Sequence, residues 1–288
     1  MQGITMFVAV IVGTPASCIA GQPDWLTSEI YDEYGRVDRV LKPWTPVRCR
    51  GRRVSVWGRD VTWRPESLLP SSITSGGVEL LASPIRLVVG LPSGEYSVPL
   101  KRFRVTERKQ ARAALRATGS VRGINARAET WLEYDGFLWV TVGFPNAGAA
   151  TEVESLRLVC DMPVDEATLY QSFSRPHAGS VTDDRVEFPW MTHPTEKIAN
   201  FYHWIGTEDR GLGFTYASLE HWAPRSEDAF CAIAREGDVV TYTANLIEEP
   251  GRLDGRVFEF GIQATPIKPL PPDYHSMVST GLDWHEWA

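Results

Sequence analysis

The residues best suited to bind or react with a ligand lie between Asn200 and Trp222. This segment, NFYHWIGTEDRGLGFTYASLEHW, surrounds a turn bounded by two glycines with aromatic and ionisable side chains. Aromatic rings can stack on the apolar C–H faces of sugars, and carboxylate and guanidinium groups hydrogen-bond to hydroxyls. The candidate residues for contact with a carbohydrate or with another domain are His203, Trp204, Glu208, Asp209, Arg210, His221 and Trp222.

A structural role is the alternative for the same segment. The run Glu208-Asp209-Arg210 is typical of a hairpin tip with an internal ion pair, which stabilises a fold little when it is exposed. The tryptophans would then fill the space between two packed sheets. A third alternative makes the chain a self-sufficient enzyme, such as a lyase or an epimerase, with His203 or His221 as its base.

Motifs for metal, nucleotide or nucleophile chemistry are missing from the sequence. The six histidines show neither H-x-H nor H-E-x-x-H spacing, and G-x-S-x-G, P-loop and G-x-G-x-x-G motifs do not occur. We therefore predict no metal site and no cofactor. The cysteines, which show no C-x-x-C spacing, suit either one or two disulfides or buried free thiols. They are Cys18, Cys49, Cys160 and Cys231.

The charge of the chain argues against a nucleic-acid partner. Its formal net charge is −7 and its isoelectric point is near 5.5, whereas phosphate-binding surfaces need clustered Lys and Arg. The one basic stretch, Arg48 to Arg59, alternates with apolar residues such as Val54 and Val56. This alternation predicts a strand with one solvated face.

The elements that must position these side chains are mostly strands. Short runs rich in β-branched and aromatic residues, such as Phe137–Phe144, Val239–Ile247 and Val257–Ala264, are separated by Gly, Pro and Asp turns. In the last of these, Phe258, Phe260, Ile262 and Ala264 share one face. We predict an all-β, two-layer antiparallel β-sandwich with one or two short helices, and a supersandwich-like arrangement is an open variant.

Helical signals are few. Thr106–Thr118 has a helix-favouring composition without a clean apolar stripe, so a strand is the alternative there, and Asp165–Ser172 is a candidate short helix. No strand-then-helix unit repeats along the chain. A (β/α)₈ barrel is therefore not predicted within these residues.

Three regions follow from the composition. Residues 1–34 form an N-terminal segment, residues 35–264 the β-sandwich domain, and residues 265–288 a stiff proline-rich connector and tail. The apolar residues 4–20 suit either a cleaved signal peptide or a residual strand from a longer chain, and they are too broken for a confident membrane span. A signal peptide would make the protein extracytoplasmic or secreted.

Five stretches of this sequence resemble the N-terminal β-sandwich region of glycoside hydrolase family 123-like proteins, long described as a domain of unknown function. Each stretch is weakly specific alone, but together they follow the expected order over nearly the whole chain. They are Gly35–Pro46, Val56–Arg59, Glu133–Gly136, Trp204–Leu212 and Gln263–Pro271.

The resemblance implies an accessory, non-catalytic sandwich that accompanies a (β/α)₈ catalytic barrel, in cis or in trans. Characterised relatives are β-N-acetylgalactosaminidases that use an adjacent Asp-Glu pair in the barrel and assistance from the substrate. Asp32-Glu33 and Asp165-Glu166 match that pair only as dipeptides, so no catalytic residue is carried over. The expected partners are a glycan or a glycosidase barrel, and a free-standing carbohydrate-binding protein is the alternative.

Overall fold

The computed structural model describes residues 38–145, 152–173, 176–190, 201–226 and 230–271. All of them belong to the second of the chain's two units, which begins at Asp38. Residues 4–20 and Cys18 lie outside the described residues. The extracytoplasmic location inferred from residues 4–20 therefore stays a prediction.

Alternation of apolar and polar residues dominates the described chain, and strands form where it occurs. The first group comprises β1 (Arg48–Arg50), β2 (Arg53–Val56), β3 (Arg59–Thr62), β4 (Ser72–Ser75), β5 (Val78–Glu79), β6 (Arg86–Leu91) and β7 (Gly94–Ser97). The next group comprises β8 (Leu100–Arg108), β9 (Arg112–Val121), β10 (Ile124–Glu133), β11 (Phe137–Gly143), β12 (Glu152–Val153) and β13 (Ser155–Pro163).

Among the described residues, the 3₁₀ turn Val164–Glu166 precedes the remaining strands. These strands are β14 (Leu169–Ser172), β15 (Ala178–Ser180), β16 (Val186–Phe188), β17 (Tyr202–Gly206), β18 (Gly211–Thr215), β19 (Cys231–Glu236), β20 (Val239–Ile247), β21 (Gly251–Arg252) and β22 (Val257–Thr265).

In the described part of the chain, the strands form two large antiparallel sheets and two small ones. The nine-stranded sheet has the order β15-β14-β17-β18-β22-β11-β10-β9-β8, and the six-stranded sheet has the order β16-β19-β20-β13-β6-β7. Strands β1 to β5 pair in sequence order as a third sheet, and β12 pairs with β21. The predicted all-β sandwich is confirmed, and β11, formed by the predicted run Phe137–Phe144, lies inside the large sheet.

The core lies between the two large sheets. Phe214 of β18 stacks on Tyr242 of β20 with 4.3 Å between ring centroids, and Phe188 of β16 stacks on the His203 ring of β17 at 4.4 Å. The inward residues of β22 are those predicted to share a face, namely Phe258, Phe260, Ile262 and Ala264. Burying aromatic and aliphatic faces of this kind is the main stabilising term of a sandwich.

The ambiguous stretch Thr106–Thr118 is extended, so the strand alternative is confirmed and the helix is wrong. It contributes to β8 and β9, which pair with each other, and β9 also pairs with β10. Ala113, Leu115 and Ala117 alternate into the core. Cross-strand pairing and burial outweigh the helix-favouring composition here.

The candidate helix Asp165–Ser172 is reduced to the 3₁₀ turn that Val164 begins. Its later residues form β14, which pairs with β15 and β17. The three cysteines that the structure describes, Cys49, Cys160 and Cys231, are free thiols. Over the described part of the chain, none of the helical structure has the length and apolar character of a membrane span.

Candidate functional site

The candidate segment forms the β17–β18 hairpin and the turn that follows it. Because neighbouring residues of a strand point to opposite faces, the side chains of His203 and Trp204 lie on opposite sides of the sheet. His203 is fully buried between the large sheets, while Trp204 is partly exposed on the outer face. Glu208, Asp209 and Arg210 form the hairpin tip.

His203 belongs to a buried polar cluster between the sheets. Its Nδ1 lies 2.7 Å from the Tyr242 hydroxyl, which is 2.9 Å from the Tyr216 hydroxyl. Its Nε2 has no hydrogen-bond partner among the described residues. Burial lowers the pKa of His203 from 6.5 to about 3 and raises the pKa of both tyrosines, because the low-dielectric core disfavours every charged form.

These surroundings argue against His203 as a base that acts on a substrate. The imidazole is neutral and enclosed by aromatic rings, including Phe188 and Phe230. A general base must lie within hydrogen-bond reach of the proton that it removes. We therefore do not propose a contact of His203 with a surface ligand.

The hairpin tip is held by hydrogen bonds and ion pairs. Arg210 Nη1 donates to Glu166 of the 3₁₀ turn at 3.3 Å, and Arg210 Nη2 lies 3.9 Å from Asp209. The amide of Thr207 donates to the Arg210 carbonyl at 2.7 Å and closes the turn. Glu208 is exposed.

His221 and Trp222 follow β18 and again point to different environments. His221 is exposed with φ near +69°, and its carbonyl accepts a hydrogen bond from Arg256 at 2.6 Å. Trp222 is 9% exposed and packs edge-on against Tyr216 with 5.3 Å between the ring centroids. The seven candidate residues therefore divide among the core, the hairpin tip and the outer surface, and they do not form one site.

Sequence reasoning missed the buried position of Arg59. The basic stretch does form strands, but the guanidinium of Arg59 is buried, with 3% of the residue exposed. It donates to three backbone carbonyls, those of Trp57 at 3.3 Å, Ala264 at 3.1 Å and Ile267 at 2.6 Å. Burial lowers its pKa to about 10, while the charge of Asp135 acts in the opposite direction.

Two glycines make room for this arrangement. A Cβ atom at Gly136 would lie 2.5 Å from Nη1 of Arg59, and a Cβ atom at Gly58 would lie 3.0 Å from Cγ of Pro269. Both glycines also have positive φ, which a side chain rarely adopts. The close contact between Arg59 and Gly136 brings the stretch Val56–Arg59 next to Glu133–Gly136. The signal for it in the sequence is an arginine together with two glycines that the fold requires.

The remaining family-like stretches meet at the same place. We call Pro266–Pro271 the connector. Trp44 packs edge-on against Tyr134 at 5.7 Å between ring centroids, and its ring lies 4.7 Å from the ammonium of Lys268 in the connector. Trp204 Nε1 donates to Thr265 Oγ1 at 2.9 Å, just before the connector begins. All five stretches are thus linked through direct contacts.

A cleft of about 330 Å³ opens beside the connector, and we call it the connector cleft. Proline and tryptophan rings form its apolar wall, and the hairpin tip supplies the charged side. It is lined by Trp57, Gly58, Ser75, Gly76, Asp209, Arg210, Pro266, Pro269, Leu270 and Pro271. Such a cleft can hold a polar group of a ligand or an apolar side chain of a partner protein.

The described residues contain no group of three or more His, Cys, Asp or Glu side chains that could hold a metal ion. The pKa of the Glu133 carboxyl is raised by burial first and by the charge of Asp135 second, although the charge of Arg112 acts in the opposite direction.

The family model for "Glycoside hydrolase 123, third domain" matches residues 47–226, which is more than half of the chain. This chain belongs to the glycoside hydrolase 123 third-domain family. The family identified from the five stretches is therefore confirmed, although the model describes a third domain and the resemblance described an N-terminal one. This chain is therefore a β domain from a family that is associated with glycoside hydrolases.

Several solved structures are similar to this third domain in part. The α-mannosidase from Enterococcus faecalis V583 has 8% identity and a TM-score of 0.45, over 83% of this chain and 32% of that chain. The Aspergillus nidulans amine oxidase has 8% identity and a TM-score of 0.43, over 78% of this chain and 52% of that chain. The copper-containing benzylamine oxidase from Hansenula polymorpha has 10% identity and a TM-score of 0.40, over 85% of this chain and 65% of that chain.

These scores are too low to transfer an activity to the glycoside hydrolase 123 third domain. The matched part of the Aspergillus nidulans amine oxidase is about half of that chain. No protein with a curated description matches this sequence.

Proposed function

We propose that this chain is a non-catalytic domain that supports carbohydrate processing by a (β/α)₈ glycosidase barrel of the β-N-acetylgalactosaminidase type, in cis or in trans. The observation that supports this proposal best is the arrangement of the five family-like stretches. They surround a buried arginine and the connector, and their contacts hold the connector against the sandwich.

The attachment has a clear physical basis. Burying a guanidinium group is costly unless its N–H donors are hydrogen-bonded. Arg59 donates to the carbonyls of Trp57 between β2 and β3, Ala264 of β22 and Ile267 of the connector. Ser75 adds a hydrogen bond from its hydroxyl to the Thr265 carbonyl at 2.8 Å. The connector is therefore held against the sandwich, and a partner that binds the connector would take a defined orientation.

The surface of the connector suits a protein partner. Ile267 and Leu270 are each 39% exposed although both are large and apolar. Asp209 and Arg210 supply charged groups at the edge of the adjoining connector cleft. An apolar centre with a polar rim is the usual composition of a protein interface.

The test measures association with a separately expressed catalytic barrel of the family by titration calorimetry. We expect Leu270→Asp to weaken association about tenfold or more, since a contact of this kind contributes on the order of 1.5 kcal/mol or more. Val257→Asp is the matched control, because Val257 is 37% exposed at the start of β22, away from the connector. Equal weakening by both variants, or by neither, would contradict the proposal.

The catalytic alternative is tested on the chain alone. We expect no hydrolysis of aryl N-acetyl-β-galactosaminides, because the proposed catalytic groups reside in the barrel. Turnover that co-purifies with the folded chain and disappears on its thermal unfolding would make the chain an enzyme and would sink the non-catalytic assignment.

A further inference from the structure

The outer face of the nine-stranded sheet carries a band of aromatic side chains, which we call the aromatic band. They lie on β10, β11 and β17, and all are partly exposed. The members of the aromatic band are Trp131, Phe137, Trp139, Tyr202 and Trp204. An outward-facing sheet surface is normally polar, so a contiguous group of partly exposed rings marks an interaction site.

The strand register places these rings in two adjacent rows that run across the strands. One row passes from Trp131 through Trp139 to Gly261 on β22, and continues through Thr215 to Tyr202. The second row begins at Phe137, two residues from Trp139 along β11. Its further members across the sheet are Gln263, Gly213 and Trp204.

Glycines let the rings lie flat on the sheet. A Cβ atom at Gly261 would lie 2.7 Å from Cζ of Phe137, and a Cβ atom at Gly213 would lie 3.0 Å from the ring of Tyr202. Trp204 covers two further glycines in the same way, because Cβ atoms at Gly206 and Gly211 would lie 2.5 Å and 2.6 Å from its Cζ2. The rings of Phe137, Tyr202 and Trp204 therefore occupy the space that side chains would fill at these glycines.

Contacts between neighbours keep the rings in place. Trp131 stacks on Trp139 with 6.3 Å between centroids and an interplanar angle of 21°, and Phe137 lies 6.1 Å from Trp139. The indole Nε1 of Trp204 is fixed by the hydroxyl of Thr265. Rings that are ordered before binding lose little conformational entropy when a ligand stacks on them.

Polar groups that can bond to hydroxyls border the aromatic band. Thr141 donates to Glu259 at 2.9 Å, and Arg116 donates to Glu129 at 2.9 Å. The amide of Gln263 belongs to the second row itself. Flat aromatic faces bordered by carboxylates and an amide match the two surfaces of a sugar, which has apolar C–H faces and polar hydroxyl edges.

The charge of the surface decides the ligand class. Flat rings also bind single-stranded nucleic acid, but such sites lie in positively charged grooves. Here two bordering arginines, Arg116 and Arg127, share Glu129, and Glu259 adds a second negative charge, so these four side chains carry no net positive charge.

We propose that the aromatic band binds a neutral oligosaccharide of pyranose sugars, which lies across the strands from Trp131 towards Trp204. The band crosses β10, β11, β22, β18 and β17. At about 4.8 Å between neighbouring strands it is about 19 Å long, which is enough for several sugar units. The band adjoins the connector only at its Trp204 end, where Trp204 contacts Thr265, and it gives the chain a glycan-binding role that goes beyond the proposed attachment to a barrel.

Three tetrasaccharides test the proposal in titrations of the purified chain, namely gangliotetraose, N-acetylchitotetraose and cellotetraose. We expect at least one to bind and to protect tryptophan fluorescence from iodide quenching. Absence of binding by all three at millimolar concentration would overturn the proposal. Stronger binding of oligo(dT) than of every sugar would overturn it as well, in favour of nucleic acid.

Substitutions then locate the site. Trp139→Ala should weaken binding about tenfold or more, whereas Trp139→Phe keeps a flat ring and should retain most of the affinity. Tyr96→Ala is the matched control, because Tyr96 is a partly exposed aromatic residue on β7 of the other large sheet. Unchanged affinity of a folded Trp139→Ala chain would place the sugar elsewhere and contradict the proposal.

A second variant protects the test against loss of folding. Gly261→Ala keeps every ring of the aromatic band but lifts Phe137 from the sheet, and it should weaken sugar binding while the circular dichroism spectrum stays native. If the barrel competed with the sugar, the aromatic band would be a protein interface and the proposal would fail. Leu270→Asp tests only the connector, so failure of the barrel proposal is distinguishable from failure of this one.

Discussion

His203 and Trp204 are neighbours in sequence, but they meet entirely different surroundings. The imidazole of His203 lies between the two large sheets and is neutral, whereas the indole of Trp204 lies on the outer face and covers two glycines. The residues of β18 divide in the same way, with Phe214 inside and Gly213 outside.

This difference shows that residue type alone does not identify a binding residue in a β domain. The same hairpin builds the core with its inner face and a candidate ligand surface with its outer face. The following experiments test whether the inner face serves stability and the outer face serves binding.

The largest expected effect concerns Trp222. Its ring packs against Tyr216, Phe230 and Phe258, and Trp222→Ala should lower the free energy of unfolding by about 3–5 kcal/mol, because it leaves a cavity. Chemical denaturation measures this loss. Trp204→Ala is the comparison on the outer face, and an equal loss there would abolish the distinction between the faces.

Next in size is the loss of the central hydroxyl in the buried cluster. Tyr242→Phe leaves His203 Nδ1 and the Tyr216 hydroxyl without their shared partner, and it should cost about 1–3 kcal/mol of stability. Tyr96→Phe is the control, because its hydroxyl bonds to the Ser93 carbonyl at an exposed position. Similar small losses for both variants would show that the buried cluster contributes little.

The pH dependence of stability tests the neutral state of His203. Since its pKa is about 3 in the folded chain and 6.5 when unfolded, only the unfolded chain takes up this proton between those values. Stability is therefore fully present above pH 6.5 and falls below it, by at most about 1.4 kcal/mol per pH unit.

Denaturation midpoints between pH 6.5 and pH 5 measure this loss, above the range in which most carboxylates titrate. His203→Phe should flatten the dependence, whereas substitution of the exposed His221 by Gln should preserve it. An unchanged slope in His203→Phe would show that another group causes the dependence.

The smallest effect is expected at the hairpin tip. Glu208 is exposed, so Glu208→Ala should change the free energy of unfolding by less than about 0.5 kcal/mol. Any loss of association with the barrel in this variant would then be a direct effect on binding. A large loss of stability would instead make the tip a structural element.

The local pattern of residues was enough to predict many of the strands and their faces. Alternation in Val257–Ala264 identified the inward residues of β22, and the apolar run Phe137–Phe144 identified an inner strand. These features are local, because a strand repeats every two residues wherever its partners lie. The order of the five family-like stretches also identified the family without any coordinates.

Packing between the sheets sets which face of a strand is buried and which distant residues meet. Alternation separates His203 from Trp204, but the opposite sheet determines that the histidine is inside. The composition of Thr106–Thr118 is compatible with both a helix and a strand. The pairing of β9 with β8 and β10 makes this segment extended. In the sequence, Arg59 resembles a solvated strand residue. In the fold, it donates a hydrogen bond to the carbonyl of Ile267, which is 208 positions away in sequence. Non-local contacts of this kind are set by packing between sheets, and a local pattern of residues does not contain them.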